Sequence, residues 1–494
     1  MSLCRKYILR VLFVTSEVFP LIKTGGLADV SGSLPSALQN LSVDVRILVP
    51  GYPSVLKQLD DLHHLATLKN LPVIENAELM MGTILDTDIK VMVIKAAGLY
   101  ERDGGPYVDA TGQEWLDNPV RFGILSKAAA VISGPNSPIP EWRPDIVHCN
   151  DWQTGLTPAY MKLVEHTSAK SIISLHNMAF QGCYAPGWLT TLALPHGNFA
   201  VEGFEYHGQL SFLKAGIFYA DTITTVSPSY AKEIQTAEFG FGLEGLLSKR
   251  SNELKGILNG IETDEWNPET DFHLTKTYSA SKLAGKKEVK NALQQRLGLQ
   301  IDANAPLLGV VSRLTHQKGL DMLVPIVQKL VDSGCQLALL GSGESSLENA
   351  FRHLANDNPN KVSVTIGYNE QLSHQIMAGT DMFIMPSRFE PCGLNQLYGL
   401  AYGTPPIVNA TGGLADSVVD TNIITFKNKT ANGFVMSEAS SASLLSCIKQ
   451  ALNVFNNDTK AWQQIQKNGM QQNLSWDKSA LEYLAEYKKL LGNE

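Results

Sequence analysis

The 494-residue chain has no apolar run long enough to cross a membrane, no cluster of lysine and arginine, and no closely spaced pair of cysteines. The first absence argues against a helical membrane span. With a formal net charge of −8, no phosphate-backbone footprint on nucleic acid is expected, although a compact anion needs only a few local cations. The six cysteines, Cys4, Cys149, Cys183, Cys335, Cys392 and Cys447, are scattered as free thiols of a reducing compartment would be. The opening MSLCRKYILRVLFVTSEVFP is broken by Arg10 and followed closely by Glu17, so it reads as a first strand rather than a signal peptide. The expected location is the cytoplasm. A complete dinucleotide fingerprint is also missing: LALLGSGESS supplies Gly341 and Gly343 but puts Ser346 in the third position, a weak signal for a nicotinamide or flavin cofactor.

What the sequence does have is alternation. Short β-rich runs, DVRILVP, IKVMVIKA, DIVHCND and KSIISLHN in the first half, then PLLGVVSRL, CQLALLGSG, KVSVTIG, MFIMPS and PPIVNAT, are separated by helical stretches. Runs continuous in Val, Ile and Leu suit strands buried on both faces, and strand–helix alternation predicts parallel α/β sheets. The pattern pauses at LKGILNGIETDEWNPETDF, restarts after KLAGKKEVKNALQQRLGLQ, which reads as a charged surface helix, and ends in a strandless tail. The expected division is a first doubly wound domain over 1–258, a second over 259–474, and a helix over 475–494, capped by Ser475, that packs back on one of them.

The hexapeptide TGGLAD occurs twice, from Thr24 and from Thr411, and only the first copy has a lysine, Lys23, before it. Gly25 and Gly26 precede a 3.6-period apolar face, which puts them at a helix N-terminus where free N–H groups favour an anion. The alternative is a plain strand-to-helix turn with a solvated lysine. The second copy is expected to have a structural role behind Glu390.

Arg313 and Lys318 follow a strand directly in VVSRLTHQKGLD, the end at which open α/β sheets bind ligands, and two cations there suit a diphosphate. A solvated basic loop is the alternative. His148, Cys149, Asp151 and Trp152 gather at another strand end, with His176 and Asn177 after the next. Their spacing matches no structural zinc pattern and suits the polar lining of a sugar site. Glu390 stands between a strand and a glycine that opens a helix, where a carboxylate can hold hydroxyls near free N–H groups. Cys392 beside it has no histidine nearby in sequence to activate it as a nucleophile.

Taken together, SEVFPLIKTGGLADV, HCNDWQTGL, SLHNMAFQG, LNGIETDEWNP, VSRLTHQKGL, SRFEPCGLNQLYGLAYGTPPIVNATGGLADSV and SWDKSA, in this order and over essentially the whole chain, resemble the bacterial glycogen synthases and plant starch synthases. The resemblance implies the GT-B architecture, two doubly wound Rossmann-like domains facing a cleft. It implies retaining transfer of glucose from ADP-glucose to the non-reducing-end 4-hydroxyl of an α-1,4-glucan, with no metal and no cofactor. It also implies roles: Lys23, Gly25 and Gly26 toward the diphosphate, with Arg313 and Lys318; Glu390 on sugar hydroxyls; Asp151, His176, Asn177 and Asn259 around the glucosyl group; Tyr368 near the adenine; and backbone N–H groups at Cys392, Gly393 and Leu394. His176, Arg313, Lys318 and Glu390 would carry catalysis.

The chemistry agrees, because charge that develops on a departing diphosphate is stabilised by fixed cations and helix N-termini. Tyr398 stands where many related retaining transferases carry a second glutamate, while Asn395 and His316 replace the residues usual in the synthase branch. A UDP-glucose-dependent transferase, a silent glucan-binding protein and, last, a dehydrogenase are the competing readings. The absent transit peptide favours a bacterial glycogen synthase over a plastid enzyme.

Overall fold

A computed structural model describes residues 8–96 and 98–492. The chain forms two compact units, one running to Asn259 and resuming at Trp476, the other Gly260–Ser475. No described helix is long and apolar enough to cross a membrane. Five of the cysteines are free thiols, and Cys4 lies outside the described residues.

The first unit is built on β1 (Arg10–Val14), β2 (Asp44–Pro50), β3 (Leu59–Lys69), β4 (Asn76–Ile84), β5 (Lys90–Lys95), β6 (Ile146–Asn150), β7 (Lys170–Leu175), β8 (Cys183–Tyr184), β9 (Glu205–Tyr206), β10 (Gln209–Ser211), β11 (Thr222–Thr225) and β12 (Leu254–Gly256). Nine of these form one sheet in the order β12-β11-β7-β6-β1-β2-β5-β4-β3, and β8, β10 and β9 form a small antiparallel sheet. The strands from β12 to β5 pair in parallel. β5, β4 and β3 pair antiparallel, a departure from the all-parallel expectation. β3 is exposed at six of its eleven positions and buried at only three, so it lacks the continuous apolar run that marks a doubly covered strand. β6, by contrast, is buried at every position.

The second unit has a six-stranded parallel sheet of β13 (Leu307–Val311), β14 (Gln336–Gly341), β15 (Val362–Ile366), β16 (Met382–Met385), β17 (Pro406–Asn409) and β18 (Phe434–Met436), ordered β15-β14-β13-β16-β17-β18. The order reverses direction between β13 and β16. That switch point opens a crevice at the carboxyl ends of the strands. The corresponding reversal in the first unit lies between β1 and β6.

One helix contradicts its sequence reading. Ala284–Arg296, expected as a charged surface helix, buries Lys286 and Lys290. Lys286 Nζ donates to Ala378 O at 2.7 Å, Tyr402 O at 3.2 Å and Thr404 Oγ1 at 2.6 Å, and Lys290 Nζ pairs with Asp381 at 2.7 Å. Ala378 lies in the last turn of the helix Glu370–Gly379, whose terminal carbonyls need donors from outside that helix. Lys286 supplies one such donor, to Ala378 O, while Lys290 Nζ serves a different segment, donating to Ala303 O at 3.1 Å and Ala305 O at 2.7 Å beside its ion pair.

The tail helix Trp476–Leu490 belongs to the first unit and buries Tyr483 and Tyr487. Tyr487 reaches His148 on β6, its hydroxyl 2.7 Å from Nδ1, while His148 Nε2 lies 2.6 Å from Ser174 Oγ. Burial lowers the His148 pKa to about 3, so the ring is neutral and needs both partners. Ser479 Oγ donates to Leu258 O at 2.5 Å, and Lys255 pairs with Glu486 at 3.1 Å. Replacing Tyr487 by phenylalanine leaves a buried imidazole nitrogen unpaired and is expected to cost about 1–2 kcal/mol. Calorimetry should show this as a lower melting temperature of the unit that contains the tail.

Candidate functional site

In the first unit, the segment after β1 enters the helix Gly26–Asn40 through Gly25, which is extended at φ −154° and has no side-chain cap. A Cβ added to Gly25 would meet nothing within 4 Å, so this turn faces open space. Its backbone is held from behind by Glu17, a residue the sequence reading did not single out. Glu17 is buried, and its Oε2 accepts from Thr24 N at 2.5 Å and Gly25 N at 3.1 Å, while the Tyr107 hydroxyl donates to Oε1. Burial raises the Glu17 pKa against those hydrogen bonds. Only a carboxylate eight residues upstream of the first of two glycines could have signalled this, and that spacing is not distinctive. Lys23 Nζ lies 2.7 Å from Asp29 Oδ1, so an incoming anion competes with that carboxylate for the ammonium.

The end of β6 supplies the other side of this switch point. Its alternating faces separate the cluster read from the sequence: His148 turns to the tail helix, whereas Asp151 leaves the strand at φ +57°, a strained value for a side chain with a Cβ. Asp151 is 7% exposed and its Oδ1 has no hydrogen-bond partner among the described residues. Burial pushes its pKa up to about 8, against the backbone N–H groups of Trp152, His176 and Asn177, and the Glu17 carboxylate adds to the rise.

His176 Nε2 is 3.0 Å from Asn150 Oδ1, and the Asn150 amide nitrogen donates to Val14 O and His148 O. Those bonds orient the amide, so Nε2 carries the proton and Nδ1 is left as an acceptor. Burial lowers the His176 pKa to about 4. Asn177 Oδ1 accepts from Ala179 N. Asn259 is buried and its Oδ1 lacks a hydrogen-bond partner among the described residues. Trp152 packs among Tyr107, Phe122, Tyr184 and Phe212, and Gly182 at φ +58° leaves room for its ring.

In the second unit, the loops after β13 and β16 meet. Lys318 ends a short helical turn followed by Gly319 at φ +68°, where a Cβ would come 2.2 Å from Pro386 O. That close approach brings Lys318 Nζ to 2.6 Å from Glu390 Oε2, which also accepts from Ser387 Oγ at 2.9 Å. Neighbouring Arg388 grips Asp321 with both terminal nitrogens at 2.7 Å. Arg313 is exposed and has no carboxylate partner among the described residues, leaving its guanidinium available for an anion.

The second TGGLAD differs from the first in its surroundings. Gly412 has φ +44°, and added Cβ atoms on Gly412 and Gly413 would lie 2.0 Å from Glu390 O and 2.1 Å from Cys392 O. This copy is the bed on which the Glu390–Cys392 backbone lies. Cys392 is buried, and Gly393 has φ +73° just before the helix Asn395–Ala401. Asn395 Nδ2 donates to Val311 O at 2.7 Å, tying that helix start to β13. Tyr368 is 77% exposed beyond β15. The structure thus brings Lys318 and Glu390 together in the second unit, and Asp151 together with the backbone of His176 and Asn177 in the first.

The chain matches two family descriptions, starch synthase catalytic domain over residues 10–249 and glycosyl transferases group 1 over 293–471. It is 51% identical to the glycogen synthase of Nitrosomonas eutropha, covering 98% of this chain and 96% of that one. It is 50% identical to the glycogen synthase of Nitrosomonas europaea, covering 98% of both. The catalytic domain of starch synthase IV from Arabidopsis thaliana, solved with ADP and acarbose, has a TM-score of 0.89 at 31% identity over 98% of this chain and 100% of that one. A sucrose-phosphate synthase from Thermosynechococcus elongatus shares the fold at 15% identity, TM-score 0.60, covering 98% and 100%.

Asp151 gives this site a pH signature. Its carboxyl titrates near 8 when folded against an ordinary value of 3.8. Between those values the folded state holds the extra proton, so the group's contribution to stability falls as pH rises. Asp151→Asn removes that titration. Its melting temperature relative to wild type should therefore rise from about pH 5 to about pH 8; a flat difference in thermal melts would rule out a protonated Asp151.

Proposed function

The chain belongs to the glycogen synthase family of glycosyltransferases, and on that premise we propose that it transfers glucose from ADP-glucose to the non-reducing-end 4-hydroxyl of an α-1,4-glucan. The reaction retains the anomeric configuration, needs no metal for transfer, and serves glycogen synthesis in the cytoplasm. The observation that carries this reading is the Lys318–Glu390 pair at the switch point of the second unit, in a chain similar over nearly its whole length to glycogen synthases.

Lys318 and the exposed Arg313 bind the diphosphate and stabilise the charge that grows on it as the glycosidic bond breaks. With the Gly25 N–H given to Glu17, the open turn offers the Gly26 N–H to the same anion, Gly25 leaves room for its approach, and Lys23 exchanges Asp29 for a phosphate oxygen. Glu390 accepts from sugar hydroxyls, the turn at Cys392, Gly393 and Leu394 donates N–H groups, and Tyr368 stacks on the adenine. Asp151, His176, Asn177 and Asn259 surround the glucosyl group. A neutral His176 offers Nδ1 to a sugar hydroxyl without adding positive charge beside the forming oxocarbenium-like centre.

Double displacement by protein carboxylates calls for a nucleophile and an acid about 5 Å apart. Glu17 is committed to Thr24, Gly25 and Tyr107, which leaves it poorly placed to attack. Front-face transfer, with the leaving phosphate taking the acceptor proton, is the mechanism we favour.

The test is a donor panel with glycogen as acceptor. ADP-glucose should be used in the presence of chelator and in preference to UDP-glucose; preference for UDP-glucose, or no transfer from either, would overturn the assignment. Glu390→Gln should keep the fold by circular dichroism and reduce kcat by about 100-fold or more, the loss expected for a fixed electrostatic contact in the transition state. Undiminished turnover would remove Glu390 from the site.

A further inference from the structure

A buried imidazole in the second unit has one ring nitrogen that the transfer chemistry does not use. His374, on the helix Glu370–Gly379, is 1% exposed. Its Nδ1 lies 2.8 Å from Asp271 Oδ2, which also accepts from the Tyr402 hydroxyl at 2.5 Å. A hydrogen bond from Nδ1–H to Asp271 places the lone pair of a neutral ring on Nε2. Nε2 is buried and makes no hydrogen bond among the described residues; Glu370 Oε1, one helical turn earlier, stands 3.6 Å away. Glu265, from the segment before Trp266, completes the group, with one ligand atom from each of Glu265, Glu370 and His374 within 4.8 Å of the others. Trp266 stacks on the His374 ring at 3.8 Å and 12°, and on Tyr398 at 3.7 Å and 11°. The ring is therefore held in plane and cannot swing to another partner.

We propose that Glu265, Glu370 and His374 bind a first-row divalent transition cation, Zn2+ above the others, which clips the segment 262–274 to the helix Glu370–Gly379. Three features point to this ligand class. One imidazole with two carboxylates suits a borderline cation, whereas Mg2+ and Ca2+ favour all-oxygen sets. The 3.6 Å between Nε2 and Oε1 is close to the edge of about 3.3 Å that two ligands span on a tetrahedral ion with bonds of about 2.0 Å. Asp271 on Nδ1 is the outer partner that metal-bound histidines regularly have, fixing the tautomer and raising ligand basicity. Water would fill the remaining position. Without a metal the same carboxylates stabilise a proton on the ring: burial lowers the His374 pKa, but Asp271 and Glu370 outweigh it and raise it to about 9. The cation has to displace that proton.

The ion takes no part in glucosyl transfer, so the test does not depend on the donor assignment. Wild-type protein is stripped with chelator, reloaded with Zn2+, and followed by metal analysis, thermal melting and competition against a chromogenic chelator. Glu265→Gln, on a partly exposed segment, is the variant that should fold normally, and Asp271→Asn tests the outer partner. We expect one Zn2+ per wild-type chain with a raised melting temperature, and a loss of affinity on the order of 10–100-fold in Glu265→Gln and in Asp271→Asn. A Co2+ reload should give visible bands in wild type that weaken in Glu265→Gln. If wild type holds no Zn2+ after reloading, or if Zn2+ raises the melting temperature of wild type and Glu265→Gln equally, the proposal fails and His374 is a structural imidazolium.

Discussion

The Lys318–Glu390 ion pair depends on backbone that only glycine can supply. Gly319 at φ +68° lets one loop lie against Pro386, and Gly412 at φ +44° lets another lie beneath Glu390. A side chain at either position would collide with a carbonyl at 2.2 Å or less, and the charged atoms could not close to 2.6 Å. The electrostatics of the second unit thus rest on steric permission granted by residues that carry no charge. On the function proposed above, a pair that holds both charges in place before any ligand arrives leaves little reorganisation when charge develops on a leaving group.

The two units treat their ionisable groups differently. In the first, burial moves Glu17 and Asp151 toward the protonated form and His176 toward the neutral one, giving a lining that works by hydrogen bonding. In the second, Lys318 and Glu390 compensate each other and Arg313 is exposed to solvent. A hydroxyl-rich sugar suits the first lining and a diphosphate suits the second. Depth of burial does not separate them, since Asp151 is 7% and Glu390 6% exposed; the difference is that Glu390 has a cation against it and Asp151 has none among the described residues.

Much of this was legible in the sequence because its signals are local. The parallel strands announced themselves as continuous Val, Ile and Leu runs, and the glycine turns as strand-to-helix junctions. The antiparallel strands β3 and β4 did not, because β3 is half exposed and resembles a polar loop. Lys286 read as surface charge because its partners, Ala378, Tyr402 and Thr404, are roughly a hundred positions downstream, and Lys290 because two of its three partners are backbone carbonyls, Ala303 O and Ala305 O, which leave no trace in residue type. Glu17 was missed for a related reason: a carboxylate that braces backbone N–H groups leaves no spacing rule. The two identical hexapeptides show the limit most plainly, since one faces open space and the other carries a neighbouring loop, a difference set by tertiary contact alone.

The return of the tail to the first unit has a consequence for the order in which the protein is made. His148 on β6 is paired through Tyr487, and Leu258 through Ser479, so a core strand laid down early waits for residues translated more than two hundred positions later. During synthesis the whole second unit emerges before the first can close over His148. Until the helix Trp476–Leu490 has been made, the face of the first unit that it covers stays open.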